Sequence, residues 1–114
     1  MKVEQTSIKD LVVIEPEIFH DSRGYFFESY NQNLFIKKLG YFKFIQDNES
    51  KSSKGVLRGF HLQKPPFDQA KIIRCIKGEV LDVALDLRKN SSTYGKYEKV
   101  ILSGDNKKQF FIPR

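Results

Sequence analysis

Few residues in this chain are suited to chemistry, and three groups of them stand out by type and spacing. His61 lies in the run Leu57-Arg58-Gly59-Phe60-His61-Leu62-Gln63. Imidazole exchanges protons near neutral pH, so His61 is a candidate general base. A structural histidine at a strand end, satisfied by a backbone carbonyl, fits the same residues. Strict strand alternation puts Leu57, His61 and Gln63 on one face and Arg58 on the other. A pocket shared by Arg58 and His61 therefore requires a bulge near Gly59. Lys71 has the strand parity of Ile73 and Cys75. Turned inward it is a fixed cation for a phosphate or an enolate oxygen; turned outward it is a solvated edge residue. Arg23 sits in the turn Asp21-Ser22-Arg23-Gly24, with Phe19, Tyr25, Phe26 and Phe27 around it and Glu28 close behind. A guanidinium grips phosphate oxygens through parallel donors, and an aromatic face suits a nucleobase. Plain cores and surfaces show the same pairing.

Other chemistries find less support. The histidines, His20 and His61, form neither a His-x-His pair nor a zinc-binding helix motif, so no metal is expected. The single cysteine, Cys75, permits no intrachain disulfide and lies in an apolar stretch. Lysine plus arginine number 20 against 14 acids, a net charge of +6. That surplus favours anionic partners, but the lysines are scattered as pairs (Lys37-Lys38, Lys107-Lys108) without a nucleic-acid-binding motif. No nucleic acid is expected. No apolar run approaches a membrane span and the first residues, MKVEQTSIKD, lack a signal-peptide core, so the expected location is cytoplasmic, with no membrane partner.

These residues must be positioned by β structure. Short β-prone runs separated by turn signals predict an all-β fold in a single domain over residues 1–114. Strands are expected at Leu11–Ile14, Tyr25–Tyr30, Phe42–Gln46, Val56–Gln63, Ala70–Ile76, Glu79–Leu87, Tyr97–Leu102 and Gln109–Ile112. Lys77-Gly78 reads as the turn of a hairpin. One short helix is expected after Asn33 as its cap, ended by Gly40. Asp82 and Asp86 interrupt an apolar strand and need solvent or a partner, for which Arg88 is a candidate. Strands of this number and length suit a barrel or a sandwich, and closure would remove the exposed edges.

In order and at family spacing, the segments Phe19 to Glu28, Gln46 to Ser50, Gly55 to Gln63, Gln69 to Lys71, Gly78 to Arg88 and Ser91 to Gly95 resemble the dTDP-4-dehydrorhamnose 3,5-epimerase family. The resemblance implies an antiparallel cupin jelly-roll barrel, homodimeric, working without metal or organic cofactor. It implies an isomerase that inverts C3 and C5 of a dTDP-linked 4-keto-6-deoxyhexose. By that likeness His61 is the base, Arg58 and Lys71 line the sugar site, and Phe19, Arg23, Phe26, Glu28, Gln46 and Asn48 meet the nucleotide.

Members of that family are longer. Beyond the equivalent of Ile112-Pro113-Arg114 they supply a tyrosine taken as the acid and an aspartate that partners the base. The final Gln109-Phe110-Phe111-Ile112-Pro113-Arg114 is apolar enough to be core, so the sequence reads as an N-terminal portion with an incompletely built barrel. Two other functions fit the same residues: C3-only epimerisation of a related nucleotide ketosugar, and nucleotide-sugar binding without catalysis.

Overall fold

The apolar run Val12-Val13-Ile14 has buried or half-buried residues pointing both ways, and the structure shows why. The computed structural model describes all residues, Met1–Arg114. Strand β2 (Val12–Glu15) lies inside an antiparallel four-stranded sheet of order β1-β2-β8-β5, with β1 at Lys2–Gln5, β5 at Lys71–Arg74 and β8 at Gln109–Ile112. A central strand covered on both faces reads as a continuous apolar run instead of an alternating one. One face contributes Val13, Ile73, Phe110 and Ile112 to a core shared with Ile8, Leu11, Ala84, Val100 and Leu102. The other contributes Val12, Ile14, Ile72 and Phe111 to a core with Phe35, Leu39, Phe42 and Phe44.

The first core is covered by a ribbon of two seven-residue strands, β6 (Glu79–Leu85) and β7 (Tyr97–Ser103), paired from Glu79↔Ser103 to Leu85↔Tyr97. The second is covered by helix α1 (Gln32–Leu39), whose Phe35 is buried. Asn31, not Asn33, caps it, because the Asn31 side chain accepts the Leu34 N–H at 3.1 Å. Lys37 and Lys38 occupy the last turn, where cations suit the helix dipole, and the Gly40 N–H closes on Ile36 O at 3.0 Å. A third small sheet is the hairpin of β3 (Phe19–Asp21) and β4 (Gly24–Phe26).

The all-β character with one helix is as expected from the sequence, but the closed jelly-roll barrel is not found. The three sheets are separate and none closes on itself. Two segments expected as strands, Phe42–Gln46 and Val56–Gln63, join no ladder. An extended chain becomes a strand only when a neighbour takes up its N–H and C=O groups. Without those two, β1 and β5 remain edges of the large sheet. Lys77-Gly78 is also not a hairpin turn. β5 pairs with β8, and β6 pairs with β7, so the chain bends at this point from one sheet into the other. Bending lets Ile73 and Cys75 face Ala84 across the first core, which flat pairing of β5 with β6 would prevent. The bend nests on Gly104, whose N–H bonds Gly78 O at 2.9 Å. A Cβ at Gly104 would stand 2.7 Å from Ile76 O, so only glycine fits there without movement of the backbone.

Past the end of β6, Asp86 anchors the return to β7. Its carboxylate is buried and accepts from Arg88 Nε and Nη2, each at 2.9 Å, Ser91 Oγ at 2.6 Å and Thr93 Oγ1 at 2.7 Å. Arg88 also donates to Lys9 O at 3.1 Å, tying this loop to the N-terminal segment. Arg88 is thus the partner of Asp86. Asp82, half-buried, has no such partner, and burial pushes its carboxyl pKa upward.

Candidate functional site

The β3–β4 hairpin presents the first group of candidates. Gly24 adopts φ +138°, a value that side chains resist, and this tight turn exposes Arg23. Asp21 holds the arginine in place. Its Oδ1 accepts the Arg23 N–H at 2.8 Å, while Oδ2 accepts from Nη2 at 2.6 Å and Nε at 3.2 Å. Those bonds from Arg23 lower the Asp21 carboxyl pKa. The Arg23 side chain is nevertheless 89% exposed. A surface pair of this kind orients the guanidinium and adds little to stability. Phe19 and Phe26 are cross-strand partners on the same hairpin, and both are exposed. Glu28 accepts from Asn31 Nδ2 at 3.0 Å, so the residue that caps α1 also fixes the carboxylate.

The second group lies on the segment between α1 and β5, where every residue from Ile45 to Phe67 is exposed. Gln46 Nε2 reaches Asn48 Oδ1 at 3.4 Å. Arg58 donates from Nε to Ser52 Oγ and from Nη2 to Lys51 O, both at 3.0 Å. His61 is exposed and makes no hydrogen bond or ion pair. No ladder exists around Gly59, so the expected strand bulge does not form there. Lys71 opens β5 opposite Ile112, with the parity of Ile73, which packs on the first core.

Phe19, Arg23 and Phe26 are thus carried by one hairpin, with Glu28 two residues beyond Phe26. Gln46, Asn48, Arg58 and His61 lie on one exposed stretch, and Lys71 begins strand β5 of the large sheet. A cavity of about 380 Å³ is lined by Ser7, Val13, Glu98 and Lys108 among others and contains none of the candidates. No group of three or more His, Cys, Asp or Glu side chains is arranged to hold a metal ion, and no helix is long and apolar enough to cross a membrane.

One pairing escaped the sequence analysis. Lys107 Nζ donates to Tyr25 Oη at 2.8 Å and lies 4.3 Å from the centre of its ring. The two residues are 82 positions apart, so no local spacing signals the contact.

Comparison with known proteins gives a consistent result. Residues 5–114 match the family described as dTDP-4-dehydrorhamnose 3,5-epimerase. The dTDP-4-dehydrorhamnose 3,5-epimerase of Shigella flexneri is 52% identical over 114 residues, covering 99% of this chain and 63% of that protein. The crystal structure of the enzyme of that name from Elizabethkingia anophelis superposes with a TM-score of 0.95 at 53% identity, covering 100% of this chain and 63% of the other. The dTDP-6-deoxy-D-glucose-3,5-epimerase of Legionella pneumophila, solved in complex with dTDP-4-keto-L-rhamnose, superposes with a TM-score of 0.94 at 46% identity, covering 99% and 60%. The chain thus spans a little under two thirds of the length of these relatives.

Proposed function

Because the chain belongs to the dTDP-4-dehydrorhamnose 3,5-epimerase family, we propose that its protein inverts C3 and C5 of a dTDP-linked 4-keto-6-deoxyhexose, with His61 as base. The observation that carries this reading is similarity at about half of all positions over nearly the whole chain, to relatives bearing that activity in their names. In chemical terms, a proton next to the 4-keto group passes to His61, and the C–H electron pair becomes the double bond of an enolate. The charge that develops on the 4-oxygen needs a nearby cation, and Lys71 or Arg58 supplies it. Return of a proton to the opposite face of the carbon completes each inversion. The carbonyl activates both neighbouring carbons, so one set of groups serves two inversions. No electrons are gained or lost overall, so acid–base groups suffice and neither a metal nor an organic cofactor is called on.

Arg23, with Phe19 and Phe26, is proposed to take the nucleotide, joined by Glu28, Gln46 and Asn48. The exposed apolar side chains of the central segment fit a homodimer in which a second copy covers them: Leu57 is 92% exposed, Ile45 85% and Phe67 76%. A cytoplasmic location, where nucleotide sugars are made and used, belongs to the same proposal.

The test is to supply a dTDP-4-keto-6-deoxyhexose in deuterated water and follow its ring protons by NMR. Deuterium at both C3 and C5 is the expected result. Label at C3 alone would assign the narrower C3-epimerase reaction, and binding without any label would leave a nucleotide-sugar-binding protein. Arg23→Ala provides a second check, by calorimetry with thymidine diphosphate. Loss of a charge-assisted, two-donor contact is expected to weaken affinity by about tenfold or more. Proton exchange in already bound substrate should slow much less. Unchanged affinity would return Arg23 to a purely local role with Asp21.

A further inference from the structure

Alternation sends the neighbours of Phe26 to the other side of the β3–β4 hairpin. There Tyr25 and Phe27 stand with ring centres 6.1 Å apart. A small cavity of about 60 Å³ lies against them, completed by Arg74, Cys75, Ile76 and Lys107. It contains two cations and no carboxylate. Every acid–base pair within 4 Å in this molecule involves other residues, so neither Arg74 nor Lys107 is neutralised by an ion pair. Two like charges around one small hollow repel each other unless an anion joins them.

The position of Lys107 is built by its turn. The turn carries it at φ +54°, a backbone conformation unusual for a side-chain-bearing residue, and Asn106 holds that turn. Asn106 Oδ1 accepts from Ser103 N at 3.1 Å and Lys108 N at 2.9 Å, while Asn106 N donates to Ser103 Oγ at 2.9 Å. The Lys107 ammonium then donates to Tyr25 Oη and lies over the ring, which leaves it further donors for a ligand. Arg74 projects from β5, whose backbone is held by β8 through the Arg74↔Gln109 pair. The Cys75 thiol is turned to Lys77 O and Gly78 O, each at 3.3 Å, and offers no competing chemistry.

We propose that this hollow is an oxyanion site that takes a phosphoryl group between Arg74 and Lys107. A guanidinium and an ammonium beside one hollow offer several N–H donors to the oxygens of one tetrahedral anion. Tyr25 Oη adds a neutral donor, and Phe27 and Ile76 complete the lining of a hollow that is open to solvent, Ile76 being 58% exposed. None of the residues assigned to the epimerase reaction lines this hollow, so the proposal does not depend on that activity. The phosphoryl group can come from inorganic phosphate or from the end of a phosphorylated metabolite, and the experiment separates the two.

Isotope-labelled protein is titrated by NMR with inorganic phosphate, with thymidine diphosphate and with chloride at matched ionic strength. Phosphate is expected to shift the Arg74 Nε–H and Tyr25 ring signals with saturation and to leave the Arg23 Nε–H unmoved. Arg74→Gln and Lys107→Gln should each weaken phosphate binding about tenfold or more. Tyr25→Phe should weaken it less, since ring and cations remain. The far-ultraviolet circular dichroism of Arg74→Gln and Lys107→Gln should match that of the unaltered protein, which shows that they are folded. If thymidine diphosphate alone shifts Arg74 and Tyr25, the site stands with a nucleotide as its source. An equal response to chloride, or phosphate binding unchanged in Arg74→Gln and Lys107→Gln, overturns the proposal.

Discussion

Replacing His61 with Asn is expected to abolish deuterium incorporation at the sugar carbons, a loss of roughly 100-fold to 10,000-fold, while thymidine diphosphate still binds within about twofold of its original affinity. The base acts only in the chemical step, whereas phosphate contacts hold substrate and transition state alike. Asn retains polarity and size but cannot take up the proton. Because His61 is exposed and unbonded, its replacement removes no packing and no hydrogen bond. Stability should therefore change by no more than about 0.5 kcal/mol, as for most surface substitutions. Measured together, exchange rate, nucleotide affinity and unfolding midpoint separate the possible roles. Exchange at the normal rate in His61→Asn would remove this residue from the base role. Loss of binding together with folding would make it structural.

The largest effect on stability is expected at Asp86. Asp86→Ala leaves the Arg88 guanidinium without its carboxylate and two hydroxyls, Ser91 and Thr93, without their acceptor. Removing one side of a buried, charge-assisted network costs about 3 kcal/mol. Urea unfolding of the two proteins at neutral pH would measure it, with a changed midpoint and an unchanged slope. The dependence on pH follows from the same contacts. Bonds from Arg88 first, then from Ser91 and Thr93, hold the Asp86 carboxyl pKa well below the ordinary carboxylate range. A carboxylate depressed on folding contributes its full stabilisation above the unfolded pKa, about 3.9. That contribution declines as pH falls below about 4 toward the lower folded value. The acid-side loss should shrink in Asp86→Ala. Equal unfolding midpoints at pH 7 would show that the network contributes little.

Several features were legible in the sequence because their causes are local. The helix and its end follow from apolar spacing and Gly40, and the strand Gln109–Ile112 has the bounds expected of it. The Asp86–Arg88 pairing is also local, two residues apart. What failed depended on partners distant in sequence. Phe42–Gln46 and Val56–Gln63 have β-prone composition, yet a strand exists only in a ladder, and composition does not supply one. Lys77-Gly78 carries a turn signal that is correct as a change of direction and wrong as a hairpin, because β8 and β7 take the available edges. The short strand β1 went unmarked, since the polar Lys2, Glu4 and Gln5 mask its single inward side chain, Val3. Among the site residues, Phe19, Arg23 and Phe26 share one hairpin. His61 and Lys71 were joined by family likeness, and nothing in their spacing dictates that they meet.

The exposed stretch from Ile45 to Phe67 has a consequence for how such a protein can diversify. Both cores close without it, through the sheet, the ribbon and the helix. Under the proposed function, selection on ligand contacts and selection on the packing of these two cores therefore fall largely on different residues. Under the proposed function, a substitution at Gln46, Asn48 or Arg58 alters what the ligand meets, while leaving the buried packing of Val12, Phe110 and Phe111 intact. Under that proposal, changes of sugar or nucleotide preference are open to single mutations that the buried sites of a marginally stable fold would not tolerate. Lys71 is the exception, since its strand belongs to the sheet. Recognition can drift along this stretch while the scaffold stays fixed.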